Sequence, residues 1–213
     1  MSASTPLQNR VTPTGEIIAT PARGLFMGNR GGRIHDPETK TLTNRRWASR
    51  RWICCVTDFK GRSREIMGDG YTELFFLDEP TALASGHRPC FECRREDAKA
   101  FAQAFPRDRL KQGAASAGAM DLLLQKDRLD GRGQRHFLAR LADLPDGTFV
   151  EIDDVPYALF DGDLIAWTVD GYSSSTKPRP KGDVTVLTPK SICETLANGY
   201  RPHWHPSART ALR

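Results

Sequence analysis

Four of the five cysteines in this 213-residue chain stand in two tight pairs, Cys54-Cys55 and Cys90-x-x-Cys93, and this constrains the chain more than any other feature. A disulfide framework spreads its cysteines along a secreted domain. Clustered thiols in a reducing compartment point instead to metal or redox chemistry. In a tight turn, C-x-x-C lets two sulfurs reach one ion while nearby amides hydrogen-bond the thiolates. Arg88, Arg94 and Arg95 favour the thiolate form. Redox pairs of this spacing usually follow a strand and open a helix; "ALASGHRPCFEC" reads as a helix stopped at Gly86, so zinc is expected and a redox pair is the alternative.

Two imitations fail. A zinc nucleobase deaminase needs an upstream His-x-Glu before its Pro-Cys-x-x-Cys, and the only upstream histidine, His35 in "HDPE", has glutamate one place too far. "FFLDEPTAL" imitates the acidic pair of a transport ATPase, but Gly24, Gly28, Gly31 and Gly32 form no phosphate loop.

The remaining pattern predicts an α+β protein. Residues 9–51, rich in Gly, Pro and Arg, read as loops over the surface with one short strand at "GEIIAT". "RRWICCVTDF" has strand character, "KGRSREIMGDG" reads as strand plus turn, and "YTELFFLDEPTALASG" as strand then helix. Helices are expected at "REDAKAFAQAF", "AMDLLLQKDRL" and "GQRHFLARLADL". Beyond Gly147 the period changes to two: three short strands with turns at Asp146-Gly147, Asp153-Asp154 and Asp161-Gly162, a loop at 173–183, a strand at "VTVLT" and a helix at "PKSICETLANG". The expected organisation is an N-terminal Gly/Arg-rich segment (1–51), a small zinc-stabilised α/β module (52–106), and helices with a small antiparallel sheet or half-barrel packed on it (107–213).

Charge is unevenly placed. The formal net charge is +5, and residues 23–64 carry more than that excess, with only Asp36, Glu38 and Asp58 as acids among eleven lysines and arginines. Within it, "RRWASRRW" interleaves Arg45, Arg46, Arg50 and Arg51 with Trp47 and Trp52. Clustered guanidinium groups release counterions from phosphate backbones, and aromatic faces beside them suit stacking on unpaired bases. Nucleic acid, DNA in preference to RNA, is the expected partner. No apolar run approaches the roughly 20 residues of a membrane span, and the amino terminus lacks a secretion signal's pattern. A cytoplasmic protein with no membrane partner is expected.

"LFFLDEPTALASGHRPCFECRRED" resembles the amino-terminal metal-binding domain of the Ada-type DNA repair proteins, over about residues 52–97. The shared run is Gly86-His87-Arg88-Pro89, Cys90, Cys93 and Arg94, after Phe75-Phe76 and an Ala-rich helix. The resemblance implies a four-cysteine zinc site whose upstream half falls on "WICCVTDFKGRSR", with a zinc-activated thiolate accepting a methyl group from a DNA phosphotriester. This chain departs from it: no cysteine stands four residues after Cys54 or Cys55, where Asp58 and Phe59 lie. Neighbouring strand residues face opposite sides, so one ion takes one of the vicinal pair. The fourth ligand then falls to the other cysteine, Asp58, His87 or a distant histidine. "LASGHRPCFEC" is echoed by "LANGYRPHWHP", which makes His203 and His205 candidates. His35 and His136 read as packing or surface residues, and Cys193 as core.

The function expected is thus a zinc protein with ligands among Cys54, Cys55, Cys90, Cys93 and His87. Its nucleic-acid surface is expected to comprise Arg45, Arg46, Trp47, Arg50, Arg51, Trp52, Arg62, Arg88, Arg94 and Arg95, in DNA repair or regulation. The rivals are a zinc-thiolate enzyme that takes an alkyl group on Cys54 or Cys55, and a metal-stabilised protein-interaction module.

Overall fold

The computed structural model describes residues 5–62, 65–110, 115–174 and 180–212. Two six-stranded sheets and a set of short helices make an α+β architecture. The first sheet runs Ile17–Ala19, Gln8–Val11, Leu74–Phe76, Phe26–Arg30, Trp52–Val56, Arg88–Pro89. Phe26–Arg30 lies antiparallel to both its neighbours, whereas Trp52–Val56 is parallel to Arg88–Pro89, with Cys54 opposite Pro89.

This corrects the expectation for residues 9–51. Gln8–Val11 and Phe26–Arg30 are inner strands of the sheet that carries the cysteines, so the segment is a structural part of that module. Gly28 is what the pairing demands: a Cβ there would stand 2.0 Å from the Ile53 carbonyl oxygen. Local composition hid this, because Gly and Asn are poor strand formers in isolation and tertiary pairing overrides propensity.

The second sheet, Phe137–Arg140, Asp183–Val186, Phe149–Ile152, Val155–Phe160, Asp163–Thr168, Gly171–Ser174, is antiparallel throughout. Its turns follow the sequence: Asp153-Asp154 and Asp161-Gly162 both take positive φ at their two residues, the backbone of a tight primed hairpin. A strand beyond those expected, Gly171–Ser174, closes its edge. "GQRHFLARLADL", expected as a helix, is the Phe137–Arg140 strand and a single 3-10 turn at Leu141–Asp143. Leu138 is 68% exposed while Phe137 and Ala139 turn inward, so the true period is two. The expected strand in "KGRSREIMGDG" does not form among its described residues; Ser63 and Arg64 lie outside them, as do residues 175–179 of the loop read at 173–183.

The helices Arg95–Ala104, Ala117–Arg128 and Lys190–Ala197 share an apolar cluster that includes Phe101, Phe105, Met120, Leu124, Ile192 and Leu196. The hub is the short helix Glu79–Ala84, every residue of which is buried. Its Ala82 packs on the first sheet, Ala84 on the second and Leu83 on the helical layer. Burying its acidic start requires partners. Asp78 accepts hydrogen bonds from Thr81 N, Tyr172 Oη and His205 N, while Glu79 accepts from Tyr200 Oη (2.6 Å), His203 N (2.9 Å) and Arg94 Nη2 (2.8 Å). The "DEP" letters therefore lock the C-terminal segment onto the sheet.

Candidate metal centre

Strand alternation sorts the vicinal cysteines. On Trp52–Val56, Trp52 and Cys54 point into the core, and Ile53 and Cys55 face a cleft of about 370 Å³. Cys54 is fully buried among Val11, Leu74, Phe76 and Ala82, and its sulfur accepts from Arg94 Nη1 at 3.4 Å. Burial raises its thiol pKa well above the ordinary value, the nearby Arg94 only partly opposing it, so Cys54 is a neutral packing thiol.

Cys55 instead meets the C-x-x-C turn. Gly86, at φ +85°, closes the hub helix, and a Cβ there would come within 2.7 Å of the Arg128 side chain. The chain then pairs briefly with Trp52–Val56 through Arg88–Pro89, and Cys90 N donates to the Cys54 carbonyl at 2.9 Å. This sets the turn against the strand's cleft face. The sulfurs of Cys55, Cys90 and Cys93 all lie within 4.8 Å of one another. Thiolates around a tetrahedral zinc at ~2.3 Å stand about 3.8 Å apart, so small side-chain adjustments suffice to bind one ion.

The turn prepares an anionic sulfur. Hydrogen bonds from Cys55 and Cys93, with the Glu92 amide donating to Cys90 Sγ at 3.4 Å, lower the Cys90 pKa, while the Cys55 thiol, whose hydrogen bonds to those two sulfurs hold its proton, is raised. A divalent ion replaces such shared protons. Three cysteines near one another can hold a metal ion, and the cleft they line leaves room for a fourth ligand.

The other expected ligands lie elsewhere. His87 is buried between Trp52 and Phe76, with ring centroids at 5.2 and 4.7 Å, and its Nδ1 hydrogen-bonds Ser85 Oγ. Burial first, then Arg30 and Arg128, push its pKa well below the ordinary value. Among the described residues, neither His87, Cys54, Asp58, His203 nor His205 joins the sulfur cluster. The His203 ring faces Asp97 at 3.3 Å and His205 Nδ1 faces Ser207 Oγ at 2.7 Å. His35 is a buried packing residue, bonded through both ring nitrogens to Thr72 and Gly68. Cys193 is buried in the second sheet's core, its thiol pushed up to about 12 by burial.

The expected nucleic-acid surface divides. Arg45, Arg46, Arg50, Arg51, Arg62 and Arg95 are exposed and Trp47 is half-buried. Arg62 pairs with Glu92 at 2.8 Å on the rim of the cysteine cleft. Three residues are corrected: Trp52 is 3% exposed and unable to stack on a base, Arg88 is buried in a two-pronged pair with Asp121 (2.8 Å for each prong), and Arg94 is buried on Glu79 and Asp97. Side chains beside a metal turn are as suited to holding it from beneath as to reaching outward. Sequence reasoning missed Glu73 on the cysteine cleft, a buried carboxylate whose Oε2 accepts from Met67 N while Oε1 has no partner among the described residues. It also missed Asp121 and Arg128, which only folding brings near residues 50–88.

No family model, curated protein or solved structure matches the chain. The site's geometry therefore carries the functional argument. No helix among the described residues is long and apolar enough to cross a membrane.

Proposed function

We propose that this protein is a zinc protein, holding the ion through Cys55, Cys90 and Cys93, and that its exposed arginine surface binds nucleic acid. The convergence of three sulfurs from separate segments on one cleft carries this reading. Thiolate donors select zinc among the common divalent ions, and no disulfide joins the cysteines. Exposed Arg45, Arg46, Arg50 and Arg51 beside half-buried Trp47 support the nucleic-acid half, since their forks suit phosphate contacts. The Ada-type resemblance over residues 52–97 supports the pairing of a zinc turn with a repair or regulatory role.

One observation favours a second reading, an alkyl acceptor. Cys55 is half-buried on a cleft of about 370 Å³, so a zinc-activated thiolate there has space for an incoming group, whereas Cys54 has none. The test is metal analysis of anaerobically purified protein, with anisotropy titration of labelled single- and double-stranded DNA at several salt concentrations. The proposal expects one zinc per chain and binding that weakens with salt. Metal-free protein in which Cys90 and Cys93 readily join on oxidation would replace zinc with redox chemistry, and salt-independent absence of DNA binding would leave the interaction-module reading. Alkylated Cys55 by mass spectrometry after exposure to alkylated DNA would establish the second reading.

A further inference from the structure

On the face of the first sheet opposite the cysteine cleft, two positive charges are buried without an ion pair among the described residues, Asp121 acting on Arg128 only at a distance. Arg30 and Arg128 are 2% and 1% exposed. Both guanidinium carbons lie over the Trp52 ring, at 4.4 and 4.0 Å. Neither makes an ion pair among the described residues. Arg30 Nη2 donates to Gly15 O, and Arg128 donates to the carbonyls of Gly86 and Arg50 and to Gln125 Oε1. Asp121, the nearby acid, is engaged by both prongs with Arg88. The Nε atoms of Arg30 and Arg128 are buried with no partner among the described residues. Arginine does not shed its proton at neutral pH, so two charges remain where water is scarce. Burial of that kind costs several kcal/mol per ion unless an opposite charge is present.

The same residues floor a narrow cleft. Arg30, Arg128 and Trp52 meet Trp47, with exposed Arg46 and Arg132 at the rim. Burial first, then the like charge of Arg46, brings the Arg30 pKa down to about 9. Gln134 pins one wall by donating to the carbonyls of Pro13, Ala84 and Leu187. Its Oε1 is an acceptor without a donor among the described residues, but a neutral amide oxygen cannot balance two charges.

We propose that this cleft is a phosphate-binding site, with Arg30 and Arg128 at its floor, Arg46 and Arg132 closing over the anion, and Trp47 beside it. Forked guanidinium groups match the geometry of phosphate oxygens. The floor has about 20 Å³ of free space, about one water's worth, so one oxygen reaches it and the remainder face the exposed rim. The site does not rest on the metal reading. The phosphate can belong to a free phosphorylated compound or to the end of a nucleic-acid strand, and the chemistry recognised is the same.

The experiment uses the full chain as purified. Thermal unfolding and tryptophan emission are followed while inorganic phosphate or pyrophosphate is titrated against chloride at matched ionic strength. A saturable rise in Tm with a change in emission is expected, because a ligand that binds only the folded state stabilises it. The variant Arg46→Gln/Arg132→Gln, confined to exposed residues, keeps the unliganded Tm and loses affinity roughly tenfold. Arg128→Met tests the floor at the risk of unfolding the chain, so the rim variant decides. Absence of a phosphate effect beyond that of chloride, or an effect the rim variant leaves unchanged, overturns the site. Competition by a 5′-phosphorylated oligonucleotide, and not by its unphosphorylated twin, assigns the phosphate to a nucleic-acid end. Phosphate binding without that competition keeps the site and assigns it to a small phosphorylated compound, whatever becomes of the zinc or DNA reading.

Discussion

The two faces of the paired strands Phe26–Arg30 and Trp52–Val56 present opposite chemistries. Met27, Asn29, Ile53 and Cys55 line the cleft that gathers three sulfurs, whereas Arg30 and Trp52 line the cleft of buried guanidinium groups. Residues adjacent in the chain thus line different clefts, because successive strand side chains point to opposite sides. The three sulfurs and the two buried guanidinium groups thus lie on opposite faces of one pair of strands.

The sharpest way to break this comparison is to exchange the neighbours. Serine at Cys55, Cys90 or Cys93 is expected to take metal content from one per chain to near none, while Cys54→Ser keeps the metal and costs about 1–3 kcal/mol of stability, the range for disturbing one buried polar contact. Metal analysis and urea unfolding of the four variants check this; metal lost with Cys54 and kept with Cys55 would reverse the assignment of faces. Next in size, Arg94→Met leaves Glu79 buried with no cation beneath the hub helix, at about 3–5 kcal/mol, read from the urea midpoint at an unchanged m-value.

Acid separates the faces further. The folded state holds His87 neutral, its pKa depressed by burial and by Arg30 and Arg128, while the unfolded chain protonates it below about 6.5. The unfolded state then binds more protons, so this contribution is intact above that pH and is lost as pH falls, with a slope approaching about 1.4 kcal/mol per unit. The difference between the wild type and His87→Gln in unfolding free energy from pH 7 to 5 isolates it. On the other face, a metal ion displaces thiol protons when it binds, so metal affinity is expected to fall with acid, measurable by chelator competition across the same range. The smallest effect concerns the outer surface: Arg45→Gln and Arg51→Gln leave stability within about 0.5 kcal/mol but each lower the salt slope of DNA binding by about 1.

Much of the second sheet was legible beforehand. Its strands are short apolar runs set off by turn residues, and Asp153-Asp154 and Asp161-Gly162 sit where positive φ is needed. The helix stops at Gly86 and Gly199 were equally readable. "GQRHFLARLADL" was misread because four residues of alternation are too few to outweigh three leucines at helical spacing. The first sheet was misread more deeply: Phe26–Arg30, with its glycine and asparagine, becomes a strand because Trp52–Val56 and Leu74–Phe76 flank it. In the site, the C-x-x-C turn announced itself through local spacing, whereas the burial of Arg88 and Arg94 depends on Asp121 and Glu79, at separations of 33 and 15 residues.

By itself, the sequence determined the α+β character, the metal-competent turn at Cys90 and Cys93, and the expectation that Cys54 and Cys55 face opposite sides of their strand, since these follow from local periodicity and spacing. Tertiary structure alone decided that Cys55 is the one that meets the turn, that Trp52 belongs to the core, and that Arg30 and Arg128 share a cleft without an ion pair among the described residues. Which face of a strand meets the core is set by what packs there, here the wholly buried Glu79–Ala84 helix, and that information is distributed over segments far apart in the chain.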